Sequence, residues 1–331
     1  MIRRPPRSTQ GVSSAASDVY KRQTLEFVKL VEKAGFPKGV VNVVTGYGKE
    51  VGEALITHPK VAKVAFTGGV DTARHVVANT VHNLAPVTLE LGGKSPILVF
   101  DDADFESAVN GAVAGNFGAS GQSCVAGSRV LVQSGIHDEF VAEVVRRAEQ
   151  IRIGDPLATE TQMGPLATQA QRDRIESVVA DSIAQGATLH TGGGRPDGLD
   201  SGWYYRPTVL GCPDQDVRST QVELFGPVMS VLKFNTEDEA VVMANDTNFG
   251  LGAGIFTRDV SRVHRTARAI RSGIVWVNTY RAISPIAPFG GFGDSGSGRE
   301  SGVDAINEFT TTKTVWINTS TEPMANPFTM R

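Results

Sequence analysis

Two side chains in this sequence could do chemistry that solvent and backbone cannot. One is the thiol of Cys124, set among small residues in FGASGQSCVAGSR, residues 117–129. The other is the carboxylate of Glu90, 34 residues earlier, which ends the apolar run PVTLELGG before two glycines. A thiolate attacks carbonyl carbon readily, and small neighbours let a substrate and backbone donors come close to it. A carboxylate at a buried strand end is costly unless it is capped or used, and a poised carboxylate serves as a general base. The bland alternative for Cys124 is an inert thiol in a packing seam, since free cysteine is among the most buried residue types. Glu90 likewise reads as a cap of the following loop.

The other candidate motifs are weaker. GYGKEVG, residues 46–52, follows a β-branched run as a dinucleotide loop should, but its spacing is G-x-G-x-x-x-G and no acid follows at the right distance. A glycine turn accounts for it. FTGGVDTAR places Gly68 and Gly69 before a helical pattern, where backbone N–H groups could hold a phosphate or simply form a turn. The six histidines (His58, His75, His82, His137, His190 and His264) all lie away from Cys124 in sequence, so a Cys–His pair could arise only through space. No metal site is expected: Cys124 and Cys212 form no C-x-x-C pair and no H-x-x-x-H occurs.

These residues need a scaffold, and the chain is long enough for one. Its 331 residues are 40% hydrophobic and 20% charged, with a net charge of −3. That balance offers no footprint for nucleic acid or an anionic membrane, and no apolar run reaches the length of about 20 residues that spans a bilayer. Two cysteines build no disulfide framework, which points to the cytoplasm. Residues 1–23 stand apart: they are rich in arginine and serine, with Pro5-Pro6 and a single acid, Asp18. They lack the apolar core of a secretory signal, and they read as a non-native or disordered leader. From Thr24 onward, helix and strand patterns alternate. TLEFVKLVEKAGFP, KEVGEALITHP and DTARHVVANTVHNLA read as helices, with Asp71 as an N-cap; GVVNVVTG, KVAKVAFTGG and PVTLELGG read as strands. Further on, SPILVF, SRVLVQ, LGAGIFT and GIVWVN are expected strands. FESAVNGAVAGNF, HDEFVAEVVRRAEQIR, TEDEAVVMANDT and DVSRVHRTARAIRSG are expected helices, and EFTTTKTVWIN an exposed strand. Such alternation predicts an α/β fold with parallel sheets covered by helices.

Taken together, the stretches FTGG, LELGGKSP, GQSC, GDPLATETQMGPL, ELFGPV, NDTNFGLGAGIFT, SGIVWVN and PFGGFGDSGSGRESG resemble the aldehyde dehydrogenase superfamily in order and approximate spacing, from Thr24 to about Asn318. The resemblance implies a partial Rossmann-type cofactor domain (24–91), an α/β catalytic domain (92–300) and a return segment with an oligomerisation strand (301–331). It implies NAD- or NADP-dependent oxidation of an aldehyde to a carboxylic acid. Cys124 matches the nucleophile, which forms a thiohemiacetal and then a thioester, and Glu90 matches the general base. Thr67, Gly68, Gly69, Leu91, Glu223 and Phe225 match cofactor-binding positions. Glu300 matches a second glutamate on a possible proton path, and Asn278 a structural position. Phe117, Ser123, Val125, Tyr280 and the loop RAISPIAPF suggest a medium-sized, moderately apolar substrate pocket. Cys212 is expected to be inert. The implied partners are a small aldehyde and further copies of the chain.

Two departures from the pattern matter. Gly69 and Ala73 stand where the family's phosphate turn has serine and a final glycine, which removes a hydroxyl contact. The family's N-terminal third, with an oxyanion asparagine and an adenosine-contacting lysine, has no counterpart here. The chain by itself is therefore expected to be an inactive fragment. The alternatives are a CoA-acylating enzyme on the same scaffold, or a non-catalytic remnant of it.

Overall fold

The structure is a computed structural model and describes residues 17–329. The leader reading of residues 1–23 falls, for residues 1–16, outside the described residues; helix α1 (Ser17–Lys33) runs across Thr24. In chain order there follow a π-helical turn at Gly48–Gly52, α2 (Glu53–Ile56), β1 (Val64–Thr67), α3 (Val70–Asn79), β2 (Val87–Glu90), β3 (Pro96–Val99), α4 (Phe105–Phe117) and β4 (Arg129–Gln133). Next come α5 (His137–Glu149), α6 (Gln169–Ala184), β5 (Thr188–Thr191), β6 (Thr208–Gly211), α7 (Arg218–Gln221) and β7 (Val228–Phe234). The chain ends with α8 (Glu237–Asn245), β8 (Gly252–Phe256), α9 (Val260–Ala269), β9 (Ile274–Val277) and β10 (Gly296–Ser297).

The strands form two sheets. In the smaller, β2 lies between β1 and β10; β1 runs parallel with Thr67 opposite Glu90, and β10 runs antiparallel with Gly296 also opposite Glu90. The larger has the order β5-β6-β7-β4-β3-β8-β9, and every neighbouring pair is parallel except β5–β6. Helices cover both faces, so its central strands are apolar on both sides rather than alternating. Ile97 and Val99 of β3 join Val130 and Val132 in one core cluster, while Leu98 joins Leu131 and Leu232 in the other. Side-chain caps start several helices: Asp104 accepts from Ser107 N at 3.0 Å, Thr168 from Gln171 N at 3.1 Å and Asp259 from Ser261 N at 2.8 Å.

Three local expectations give way. Residues 39–46 form no strand: Val40 and Val44 are 60% and 66% exposed, and the outer edge of β1 does not pair with them. A β-branched run becomes a strand only where another backbone offers donors and acceptors. Asp71 is not the N-cap of α3. Extended Gly69 takes that place with no capping side chain, and Asp71 sits in the first turn, paired with Arg74 at 3.1 Å. The strand expected at 308–318 belongs to neither sheet; Val315, Trp316 and Ile317 are 68%, 93% and 77% exposed.

Candidate active site

The site is assembled where the smaller sheet meets the larger. Glu90 closes β2 and passes at once into the turn Leu91-Gly92-Gly93, whose backbone is held from two sides. Gly68 N donates to Glu90 O at 3.2 Å and Leu91 N to Ser295 O at 3.1 Å. Ser295 Oγ donates to Gly92 O at 2.7 Å and accepts from Gly250 N at 3.0 Å. The Glu90 side chain is buried at 5% exposure, and neither carboxylate oxygen has a hydrogen-bond partner among the described residues. Gly290 lies against it: a Cβ there would stand 3.0 Å from Oε1. Burial raises its pKa to about 7; the charge of Glu300 adds to the rise and Arg299 opposes it.

Cys124 is delivered by a strained turn. Ala119, Ser120 and Gly121 follow α4 with φ of 58°, 55° and 69°, the left-handed region that alanine and serine rarely adopt. The turn is held by Ser120 Oγ donating to Gly164 O at 2.9 Å, and by Gly121, whose added Cβ would meet Gly226 O at 2.1 Å. Cys124 itself is half-buried. Burial pushes its thiol up, with the carboxylates of Glu223 and Glu90 adding, while the nearby Val125 and Cys124 N–H groups work the other way. The thiol is thus protonated at rest beside a carboxyl group whose pKa is near neutrality. Cys212 is buried, 3.7 Å from Ser219 Oγ, and away from these carboxylates.

The paired glycines after Glu90 have a steric reason. A Cβ on Gly92 would fall 2.0 Å from Glu223 Oε2, and one on Gly93 would fall 2.5 Å from Cys124 O. Gly93 N also donates to Glu223 Oε1 at 3.0 Å. The turn is therefore wedged between Glu223 and the Cys124 loop: a side chain at Gly93 would meet backbone, and one at Gly92 would push the Glu223 carboxylate aside. Phe225, at φ 50°, is 39% exposed, and Gln171 Nε2 donates to its carbonyl at 3.0 Å. Thr67, Gly68 and Gly69 lie exposed between β1 and α3, while Leu91 is buried. Glu300 exchanges backbone hydrogen bonds with Phe289 at 2.7 and 2.6 Å. Asn278 Nδ2 donates to Thr257 O at 3.0 Å, and its Oδ1 accepts from Thr257 N at 3.1 Å, joining the ends of β8 and β9. Of the expected pocket residues, Phe117 and Val125 are buried in packed clusters rather than set on a cavity wall.

Several contributors carried no signal that sequence reasoning used. Arg129, fully buried, donates from Nε to Lys94 O at 3.0 Å, and from its other nitrogens to Met243 O at 2.9 Å and Ala244 O at 2.7 Å. It ties the loop after Glu90 to the C-terminal carbonyls of α8, where a cation is favoured. Lys94 is 1% exposed with no hydrogen-bond partner for Nζ among the described residues, and burial lowers its pKa to about 7. Glu308 accepts from Lys63 at 2.9 Å and from Thr88 at 3.0 Å, which latches the C-terminal segment to β2. Charges inside otherwise apolar strings, as in GGKSP and SRVLVQ, were the available clue.

A half-buried thiol and a buried carboxyl group thus lie near the turn that joins the two sheets. The aldehyde dehydrogenase family model matches residues 16–315, and the chain belongs to that family. It is 54% identical over 317 residues to the (Z)-2-((N-methylformamido)methylene)-5-hydroxybutyrolactone dehydrogenase of Acinetobacter baylyi, covering 96% of this chain and 64% of that protein. It is 47% identical over 295 residues to the betaine aldehyde dehydrogenase of Brucella anthropi, covering 88% and 60%. Among solved structures, a Burkholderia cenocepacia protein described as an aldehyde dehydrogenase superposes with a TM-score of 0.89 at 44% identity, over 91% of this chain and 62% of that one. A Staphylococcus aureus betaine aldehyde dehydrogenase in complex with NAD+ gives 0.89 at 40% identity, over 93% and 63%. The chain thus spans less than two thirds of the length of these relatives.

Proposed function

We propose that the whole protein oxidises an aldehyde to a carboxylic acid with NAD+ or NADP+, through a thiohemiacetal and then a thioester on Cys124. The observation that carries this reading is the half-buried Cys124 thiol within electrostatic reach of Glu90, a carboxyl group with a pKa of about 7 and unused oxygens. Glu90 takes the thiol proton as Sγ attacks the aldehyde carbon, and the Cys124 N–H donates to the oxygen that becomes negative. When bound, the cofactor supplies the hydride acceptor. Glu90 is then placed to deprotonate a water beside the sulfur, and Glu300, whose charge it already senses, offers a route for that proton toward solvent.

The residues fit such a cofactor. Gly68 and Gly69 leave the first N–H groups of α3 open, with no capping side chain, to receive a phosphate. A cleft of about 870 Å³ beside α3, walled by Tyr47, Ile56, Phe66 and Val76, has room for an adenosine. Glu223 would hold ribose hydroxyls and Phe225 would face the nicotinamide. On this reading the smaller sheet serves the cofactor and the larger carries the nucleophile. We also place the enzyme in the cytoplasm, where both thiols stay reduced, as a homo-oligomer in which the exposed segment around Trp316 meets another copy.

The test is turnover of the whole protein and its Cys124→Ala variant on a panel of aldehydes, followed by NADH or NADPH absorbance, with mass spectrometry of acid-quenched enzyme. An acyl group on the Cys124 peptide and free acid as product are expected. Turnover by Cys124→Ala refutes the reading, and acyl-CoA formed on adding CoA would replace water as the acceptor.

A further inference from the structure

Tyr280 stands in a socket made of glycines from three different elements. A Cβ on Gly115 of α4 would lie 2.6 Å from Tyr280 Cδ1, one on Gly254 of β8 would lie 2.7 Å from Cδ2, and one on Gly127, just past the nucleophile, would lie 3.2 Å from Cζ. The fourth side is Trp276 of β9, with ring centroids 4.9 Å apart. Left-handed backbone at Asn278 and Arg281, φ 51° and 61°, brackets the residue and turns the ring inward. Four elements thus leave the ring one orientation, in which its hydroxyl donates to Val125 O at 3.0 Å. Val125 directly follows Cys124, so this bond fixes the backbone one residue past the thiol.

We infer that Tyr280 is a positioning residue for the nucleophile: its phenol O–H holds the Val125 carbonyl and so fixes the loop that aims the Cys124 thiol. The inference rests on Cys124 being the nucleophile. A ring that merely filled space would account for the glycines but leave the hydroxyl unexplained, because phenylalanine packs as well without a polar atom to satisfy. Burial holds the phenol well above its usual range, so it stays a donor at any pH the enzyme meets. The other charged groups acting on Cys124 and Tyr280 are Glu90 from β2, Glu223 from the loop after α7, and Arg281.

Tyr280→Phe, which keeps the ring, tests this through the rate of Cys124 alkylation by iodoacetamide as a function of pH, read peptide by peptide with Cys212 as internal reference. Losing one hydrogen bond in the chain that supports the thiolate slows Cys124 by about threefold to tenfold near neutral pH and moves its profile to higher pH, while Cys212 is unchanged. Para-aminophenylalanine at position 280, which restores a donor, returns the profile to within about twofold of the native protein. That comparison decides the matter even where Tyr280→Phe folds poorly. A Tyr280→Phe profile equal to the native one, a para-amino variant that follows Phe, or both thiols changing together would each overturn the inference. Because the assay needs no cofactor or aldehyde, failure here is separate from failure of Cys124→Ala to abolish turnover.

Discussion

Glu90→Gln gives the most direct measure of how the site is held. In the folded chain Glu90 keeps its proton up to about pH 7, whereas an ordinary glutamate releases it near 4.5. The folded state therefore binds the proton more tightly than the unfolded state. The stability this contributes is fully present below 4.5 and is lost as pH rises through 7. The displacement corresponds to about 3 kcal/mol at 1.36 kcal/mol for each tenfold in proton affinity, and relaxation of the site around the charged carboxylate reduces that to about 1–3 kcal/mol. Glutamine, close in shape and always neutral, removes the term without emptying the site. Unfolding of the native and variant chains, followed by denaturant or heat at about pH 5 and about pH 8, should show the native chain losing about 1–3 kcal/mol more than Glu90→Gln over that interval, or about 2–6 °C in Tm. Titrating groups that do not sense Glu90 cancel in this double difference. Parallel stability curves for the two proteins would mean that Glu90 is not held as a buried, unpartnered acid, and its role as base would fall with that result. In the whole enzyme the same substitution should lower turnover by about 10²-fold or more, the usual contribution of a general base.

The remaining predictions follow from single contacts. Iodoacetamide should modify Cys124 faster than Cys212, since only Cys124 is half-exposed, with a rate that climbs with pH because burial and two carboxylates raise the thiol; peptide mapping with time reads both. Arg129→Met should cost about 3 kcal/mol or more, because it strands the carbonyls of Lys94 and Ala244 in the core, and a denaturant midpoint unchanged from the native value would contradict this. Gly92→Ala should displace Glu223, whose Oε2 stands 2.0 Å from the added Cβ, and weaken NAD+ binding about tenfold or more by calorimetry on the whole protein, with a smaller effect on folding.

The central helices and strands were legible because each obeys a local rule. FESAVNGAVAGNF became α4, Phe105–Phe117, behind an aspartate cap, and the apolar strings SPILVF and SRVLVQ became β3 and β4. The misses were elements whose partners lie far along the chain. GVVNVVTG has strand-forming residues but finds no edge to pair with. QAQRDRIESVVADSIA was not read as a helix because only a thin stripe, Ile175, Val178 and Val179, is apolar and buried, and α6 forms because the sheet supplies the other half of that contact.

For the site, the sequence by itself determined the cast: one cysteine in GQSC, one glutamate in LELGG, and the ordered motifs that resemble the aldehyde dehydrogenase family. Those identities are covalent, and nothing in folding alters them. Tertiary structure alone decided how the cast is disposed. It buries Glu90 without a partner and so brings its pKa to about 7. It wedges Gly92 and Gly93 between Glu223 and Cys124. It also turns Tyr280, expected on a pocket wall, into a glycine socket beneath the Cys124 loop. Burial, steric exclusion and the aim of a hydroxyl depend on atoms tens to hundreds of residues apart in the chain, and only the folded chain brings those atoms together.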